Sequence, residues 1–103
     1  MTNQNFMNIV RFKLKSDYVD KYFEVIDKTN FEGMAQRYIA QTGENDYCFV
    51  GIWKNAEALA AQRQVMIAHL DEVRGLMEEL SPELGVTDPV SEIIVSKVGY
   101  HDR

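Results

Sequence analysis

Between Asn55 and Leu80 the apolar residues fall on one helical stripe, and this stretch constrains the fold more than any other. Met66, Leu70, Val73, Met77 and Leu80 recur at spacings of four, three, four and three, the repeat of one helix face. Leu59 and Ile67 widen the stripe, while Glu57, Asp71, Glu72, Arg74, Glu78 and Glu79 lie mostly off it. The pattern predicts one long amphipathic helix, with a break near Arg63. Asn55 can cap its start, because its side-chain oxygen can accept the first unpaired backbone N–H groups. Ser81-Pro82 and Gly85 punctuate its end. Such a helix needs an apolar surface to cover, and the remaining chain offers one sheet.

Phe6 to Lys15 alternates as a strand does, with Phe6, Asn8, Val10, Phe12 and Leu14 on one face. Met7, Ile9, Arg11, Lys13 and Lys15 take the other. Ser16 is placed to cap a helix over about 17–28, whose buried stripe is Val19, Tyr22, Phe23 and Ile26. The pairs Asp17–Lys21 and Glu24–Lys28 support its surface. A loop over 29–33 tucks Phe31 inward. Met34 to Thr42 reads as a second strand, with Met34, Gln36, Tyr38 and Ala40 sharing a face. The turn Gly43-Glu44-Asn45-Asp46 leads at once to a third strand, Tyr47 to Trp53, so the two form an antiparallel hairpin. Gly51 within it marks a bulge or the close approach of another group. A loop anchored by Leu84 and Val86 precedes a last strand over about 90–100.

Strand, helix, strand, strand, helix, strand in one 103-residue domain, 1–103, predicts an α+β, ferredoxin-like βαββαβ fold. Its sheet is antiparallel and both helices lie on one face. The strands are apolar on both faces, so the uncovered face implies a partner, and a second copy is the simplest: a homodimer through the sheet.

Bulk properties exclude several classes. A net charge of −5 opposes nucleic-acid binding and attachment to anionic lipid. Cys48 is the single cysteine, which excludes an internal disulfide or thiolate metal cluster. No apolar run reaches the roughly 18–20 residues of a membrane span, and the N-terminal residues do not resemble a signal peptide. The expectation is a cytoplasmic protein. No Gly-rich phosphate loop and no His-x-x-x-His or Glu-x-x-His spacing points to a nucleotide, metal or other cofactor.

The run Phe49-Val50-Gly51-Ile52-Trp53-Lys54-Asn55-Ala56-Glu57-Ala58-Leu59, with the βαββαβ order, resembles the dimeric α/β-barrel superfamily, in particular its antibiotic-biosynthesis-monooxygenase-like branch. In that branch a strand ends in Trp and leads directly into the second helix. Leu84-Gly85-Val86-Thr87-Asp88-Pro89-Val90 is similar to a segment of uncharacterised bacterial members. The resemblance implies a dimeric barrel with a pocket between helices and sheet, taking a small aromatic, polyketide-like or quinol molecule. It implies an Asn on the first strand, met here by Asn8, and, in its haem-degrading members, a His on the second helix, met by His69. Gln62 or Arg63 stands where the haem-degrading members carry a Trp, which argues against haem degradation.

Each candidate also has a plain structural reading. His69 is a general base, a proton shuttle or a haem ligand, or a partly exposed residue on a helix flank. Asn8 steadies an oxyanion or bound O2, or is a buried amide satisfied by its neighbours. Trp53 anchors the core at a strand–helix junction or stacks on a ligand. Tyr38 offers a hydroxyl to the pocket or sits with its hydroxyl at the rim of the core. Arg63 binds an anionic group at a pocket mouth or is solvated. Phe12, Tyr22 and Met66 would complete the walls. Arg11 and Arg37 suit an intersubunit ion pair with an acidic residue such as Glu92. Three functions remain open: a cofactor-independent monooxygenase, a non-catalytic ligand-binding or stress-related dimer, and a cofactor-free isomerase.

Overall fold

The computed structural model describes residues 5–96. Four antiparallel strands, β1 (Phe6–Lys13), β2 (Met34–Gln41), β3 (Asp46–Trp53) and β4 (Thr87–Ile93), lie in the order β2-β3-β1-β4. Helices α1 (Val19–Asp27), α2 (Ala56–Ala61) and α3 (Arg63–Val73) complete the α+β, ferredoxin-like architecture. Among the described residues no helix is long and apolar enough to cross a membrane.

The period-2 pattern of β1 sets the layers. Asn8 and Phe12 are buried on the helix side, next to Tyr47, Phe49 and Trp53 of β3. Tyr22 and Ile26 of α1, Leu59 of α2 and Val73 of α3 pack onto them. The opposite face stays open among the described residues: Met7, Ile9, Cys48, Val50 and Ile52 are half-buried, while Tyr38 and Val90 are more than half exposed. β3 shows this most clearly, since its residues alternate between half-buried and buried. Although β3 is apolar along most of its length, the single chain buries only alternate residues.

Asn55 caps α2 as its sequence predicts, its Oδ1 accepting from the backbone N of Ala58 at 2.9 Å. The long helix breaks at Gln62, whose side chain accepts from the backbone N of Glu32 at 3.2 Å. It also ends early. After Val73 comes a 3-10 turn, Arg74–Leu76, and Met77 then bridges Leu14 in extended conformation. Gly75 costs a helix about 1 kcal/mol relative to Ala, and the end of β1 offers the backbone other partners. Lys15 N donates to Leu76 O at 2.9 Å, and Glu78 N donates to Lys13 O at 2.8 Å. Met77 is buried as its place on the stripe requires, but it arrives from a strand-like segment. Ile67 is 46% exposed despite its place on the stripe.

Smaller departures have local causes. Ser16 makes no capping bond, because a 3-10 turn, Ser16–Tyr18, precedes α1. Lys21 pairs with Glu24 at 3.5 Å rather than with Asp17. Arg37 pairs with Asp27 at 3.4 Å. An irregularity between Met34 and Gln36 shifts the register of β2, putting Met34 on the side of Arg37 and Ile39 and leaving Gln36, Tyr38 and Ala40 opposite. β4 begins at Thr87, three residues before the expected start, and runs through Pro89. An edge strand tolerates proline because its outward side needs no donor. Lys97, Val98, Tyr100 and His101 lie outside the described residues.

Candidate functional site

A cavity of about 250 Å³ lies between α3 and the β1–β4 side of the sheet. Its floor comes from Asn8, Val10 and Phe12 of β1, and from Thr87, Pro89 and Ser91 of β4. Leu59, Met66, His69 and Leu70 form the roof, and Tyr22, Phe31 and Phe49 close the back. The space exists because the inner face of β4 carries small residues. Thr87, Pro89 and Ser91 do not fill the volume that leucine or phenylalanine would occupy beneath α3. Arg63, Ile67, Pro89 and Ser91 are exposed as well as lining, so they mark the mouth.

Asn8 is 2% exposed, and its Oδ1 accepts from Nε1 of Trp53 at 2.8 Å. Gly51, directly opposite on β3, makes this possible. A Cβ at that position would lie 2.5 Å from Asn8 Oδ1, 2.8 Å from Met34 Cε and 3.2 Å from Trp53 Nε1. The close approach signalled by Gly51 is therefore the Asn8 amide itself. Because an indole N–H only donates, the amide oxygen must face it, which leaves Nδ2 as the end of Asn8 that Trp53 does not engage.

His69 projects from α3 with its ring edge-to-face with Phe31, centroids 5.6 Å apart. Its Nδ1 is the one buried side-chain N or O atom among the described residues that has no hydrogen-bond partner. Burial lowers its pKa below the ordinary histidine value, opposed by Glu72 and assisted by Arg37. The ring is consequently neutral at neutral pH and able to accept a proton. Tyr22 is also buried, packed against Phe12 with centroids 5.1 Å apart. Burial raises its pKa against the opposing effect of Arg37, so it stays a neutral phenol. Arg63 is the one lining residue with a full charge at neutral pH, and it pairs with no carboxylate among the described residues.

The structure thus brings together six of the eight sequence candidates: Asn8, Phe12, Tyr22, Arg63, Met66 and His69. Tyr38 is not among them. It lies on the outer sheet face, 57% exposed, where the register shift of β2 keeps it. Trp53 is fully buried behind Asn8 and does not line the cavity, so it reaches a ligand only through the amide. Sequence reasoning missed Thr87, Pro89 and Ser91. Their period-2 spacing was a usable signal, obscured because the proline suggested a loop.

These elements define a ferredoxin-like α+β protein with a ligand-sized cavity between its helices and its sheet. No family model matches the chain, and no curated protein does. Solved structures of antibiotic-biosynthesis-monooxygenase-like proteins share its fold. One from Nitrosomonas europaea, provisionally named an antibiotic biosynthesis monooxygenase, is similar with a TM-score of 0.71 and 17% identity, over 96% of this chain and 98% of that one. Another with the same provisional name, from Chloroflexus aurantiacus J-10-fl, has a TM-score of 0.68 and 12% identity, over 92% and 97% of the two chains. A dimeric ferredoxin-like protein from an uncultured marine organism has a TM-score of 0.71 and 10% identity, over 95% and 94%. Likeness at this level of identity carries the fold alone.

Proposed function

We propose that this chain is a cofactor-independent monooxygenase acting on a small electron-rich phenol or enol held in the helix–sheet cavity. The observation that carries the reading is the joint presence of Asn8 and His69 on the wall of one mostly apolar cavity. At about 250 Å³ it is smaller than most drug-binding pockets, and it suits a one- or two-ring molecule. The provisional names of the two monooxygenase neighbours support the class and leave the substrate open.

In this reading the imidazole of His69 takes a proton from an activated CH2 group flanked by phenol or carbonyl. The Asn8 amide donates to the oxygen on which the charge settles. The carbanion passes one electron to O2, and the radical pair joins as a C–O bond. Protonation by His69 gives the hydroperoxide. Loss of the remaining C–H proton with cleavage of the O–O bond leaves a ketone and water, so CH2 and O2 become C=O and H2O. The test is oxygen uptake by the purified protein with 2-tetralone and 2-indanone, two-ring molecules with a CH2 group between an aromatic ring and a carbonyl, repeated with Asn8→Ala and His69→Ala. Uptake lost in both variants supports the assignment; uptake unchanged in both overturns it.

The lowered basicity of His69 favours a second reading, a non-catalytic small-ligand-binding or stress-related dimer. Ligand binding without oxygen uptake selects it. In either reading we propose a homodimer through the open sheet face, as the dimeric state of the marine ferredoxin-like neighbour suggests. A cytoplasmic location is consistent with the single free Cys48 and is part of the same proposal.

A further inference from the structure

We infer that Trp53 is a positioning residue that fixes a hydrogen-bond donor at Asn8, so that the cavity selects ligands carrying a carbonyl or oxyanion oxygen. The inference deepens the reading above and rests on the cavity being a ligand site. A primary amide among apolar neighbours can present either end, and the two ends read opposite chemistry. Here the choice is made from behind. The indole of Trp53 is 0% exposed and donates to Asn8 Oδ1 at 2.8 Å. A flipped amide would set N–H groups against the indole N–H, losing a bond and burying unsatisfied donors.

The indole itself has little freedom. Trp53 ends β3 two residues before Asn55, which caps α2, so strand and helix both hold its backbone. Gly51 supplies the space, since any β-carbon there would meet both Asn8 Oδ1 and Trp53 Nε1. With the oxygen occupied, the amide N–H2 end is the one left for a ligand in the cavity that Asn8 lines. Arg63 at the mouth is a second donor, also without a carboxylate partner among the described residues. Two donors in an apolar enclosure match an acceptor oxygen on a ring, and they disfavour a ligand that offers only donors.

A matched pair of probes tests this: α-tetralone, whose one polar atom is a carbonyl oxygen, and tetralin, the same skeleton without it. Equilibrium dialysis against the full chain is expected to show α-tetralone bound about three- to tenfold more tightly, the value of one hydrogen bond. Asn8→Ala should remove most of this preference. Trp53→Phe leaves every cavity-lining residue in place, and it should lower the ratio at least halfway with tetralin affinity unchanged. Gly51→Ala keeps both partners but forces them apart, and it should act in the same direction, which covers a failure of Trp53→Phe to fold. In wild-type nitrogen–proton spectra, α-tetralone should shift the Asn8 side-chain amide, whereas tetralin should not. A wild-type ratio of one, no binding of the ketone, or a ratio untouched by both Trp53→Phe and Gly51→Ala overturns the inference. Oxygen uptake without ketone selectivity rejects this inference alone; selectivity without uptake rejects the oxidation alone.

Discussion

Nε1 of Trp53 donates to Oδ1 of Asn8 at 2.8 Å across 45 residues of sequence, joining the end of β3 to the middle of β1 beneath the cavity. Both residues are at most 2% exposed, so the bond is shielded from bulk solvent. Trp53→Phe is expected to destabilise the protein by about 1–3 kcal/mol, the cost of leaving a buried polar atom unsatisfied. Asn8→Leu should cost a similar amount through the stranded indole N–H. The double variant should cost less than the sum, because neither partner then lacks the other. Urea unfolding of the three variants measures the coupling, and strictly additive losses would show that the bond contributes nothing to stability.

Gly51→Ala tests the same junction by crowding instead of deletion. The added methyl would sit 2.5 Å from Asn8 Oδ1 and 2.8 Å from Met34 Cε. The methionine end can yield, but the amide is held between two strands. A loss of about 1–3 kcal/mol is expected, the usual cost of overpacking a core. Unchanged thermal and urea stability would mean that β3 shifts freely relative to β1.

His69 makes acid the destabilising direction. Its folded-state pKa lies below the ordinary value of 6.5, so between those two values the unfolded chain binds more protons. Stability relative to His69→Gln should be constant above pH 6.5, fall as the pH drops below it, and level off once the folded-state pKa is passed. Burial dominates; Glu72 on the same helix opposes it, and Arg37 on β2 adds to it. If the cavity catalyses, oxygen uptake should hold its plateau to a pH below that of free imidazole. Urea unfolding between pH 5 and 8 and an uptake profile supply the checks. A relative gain in stability on acidification would mean that Glu72, not burial, controls the group.

The fold was legible because its strands and helices bury one face each. The alternation in β1, the α1 stripe and the Asn55 cap all stand where sequence placed them. What sequence concealed was long-range competition for the backbone. The stripe from Met66 to Met77 looks helical throughout, yet the end of β1 captures residues 76–78. The site was half legible for a related reason. Residue type marked Asn8 and His69, but the role of Trp53 depends on a register that pairs Asn8 with Gly51 and Phe6 with Trp53. Tyr38 was misplaced by a single irregularity in β2, since one extra residue reverses every later side chain.

The open sheet face sets the last prediction. Ile9 and Val50 are directly paired at its centre, flanked by Met7 and Ile52, with Tyr38 and Val90 more than half exposed beside them. Arg11 on the same face lies opposite Asp88 of β4, and Met7 lies opposite Glu92, so charges of both signs border the apolar patch. A two-fold axis through such a face can bring apolar centre to apolar centre and basic rim to acidic rim. Sedimentation at micromolar concentration is therefore expected to give a particle of twice the 11.9 kDa chain mass. Val50→Lys should dissociate it while leaving the helix-side core intact. Each dimer would have to bury two lysine charges at its apolar centre, a cost of several kcal/mol and so roughly a hundredfold or more in the dissociation constant, on the order of magnitude of an unpaired buried charge. Circular dichroism should show the variant still folded, which separates lost association from lost structure. A wild-type monomer at these concentrations, or a Val50→Lys dimer as tight as wild type, would remove the sheet face as the interface.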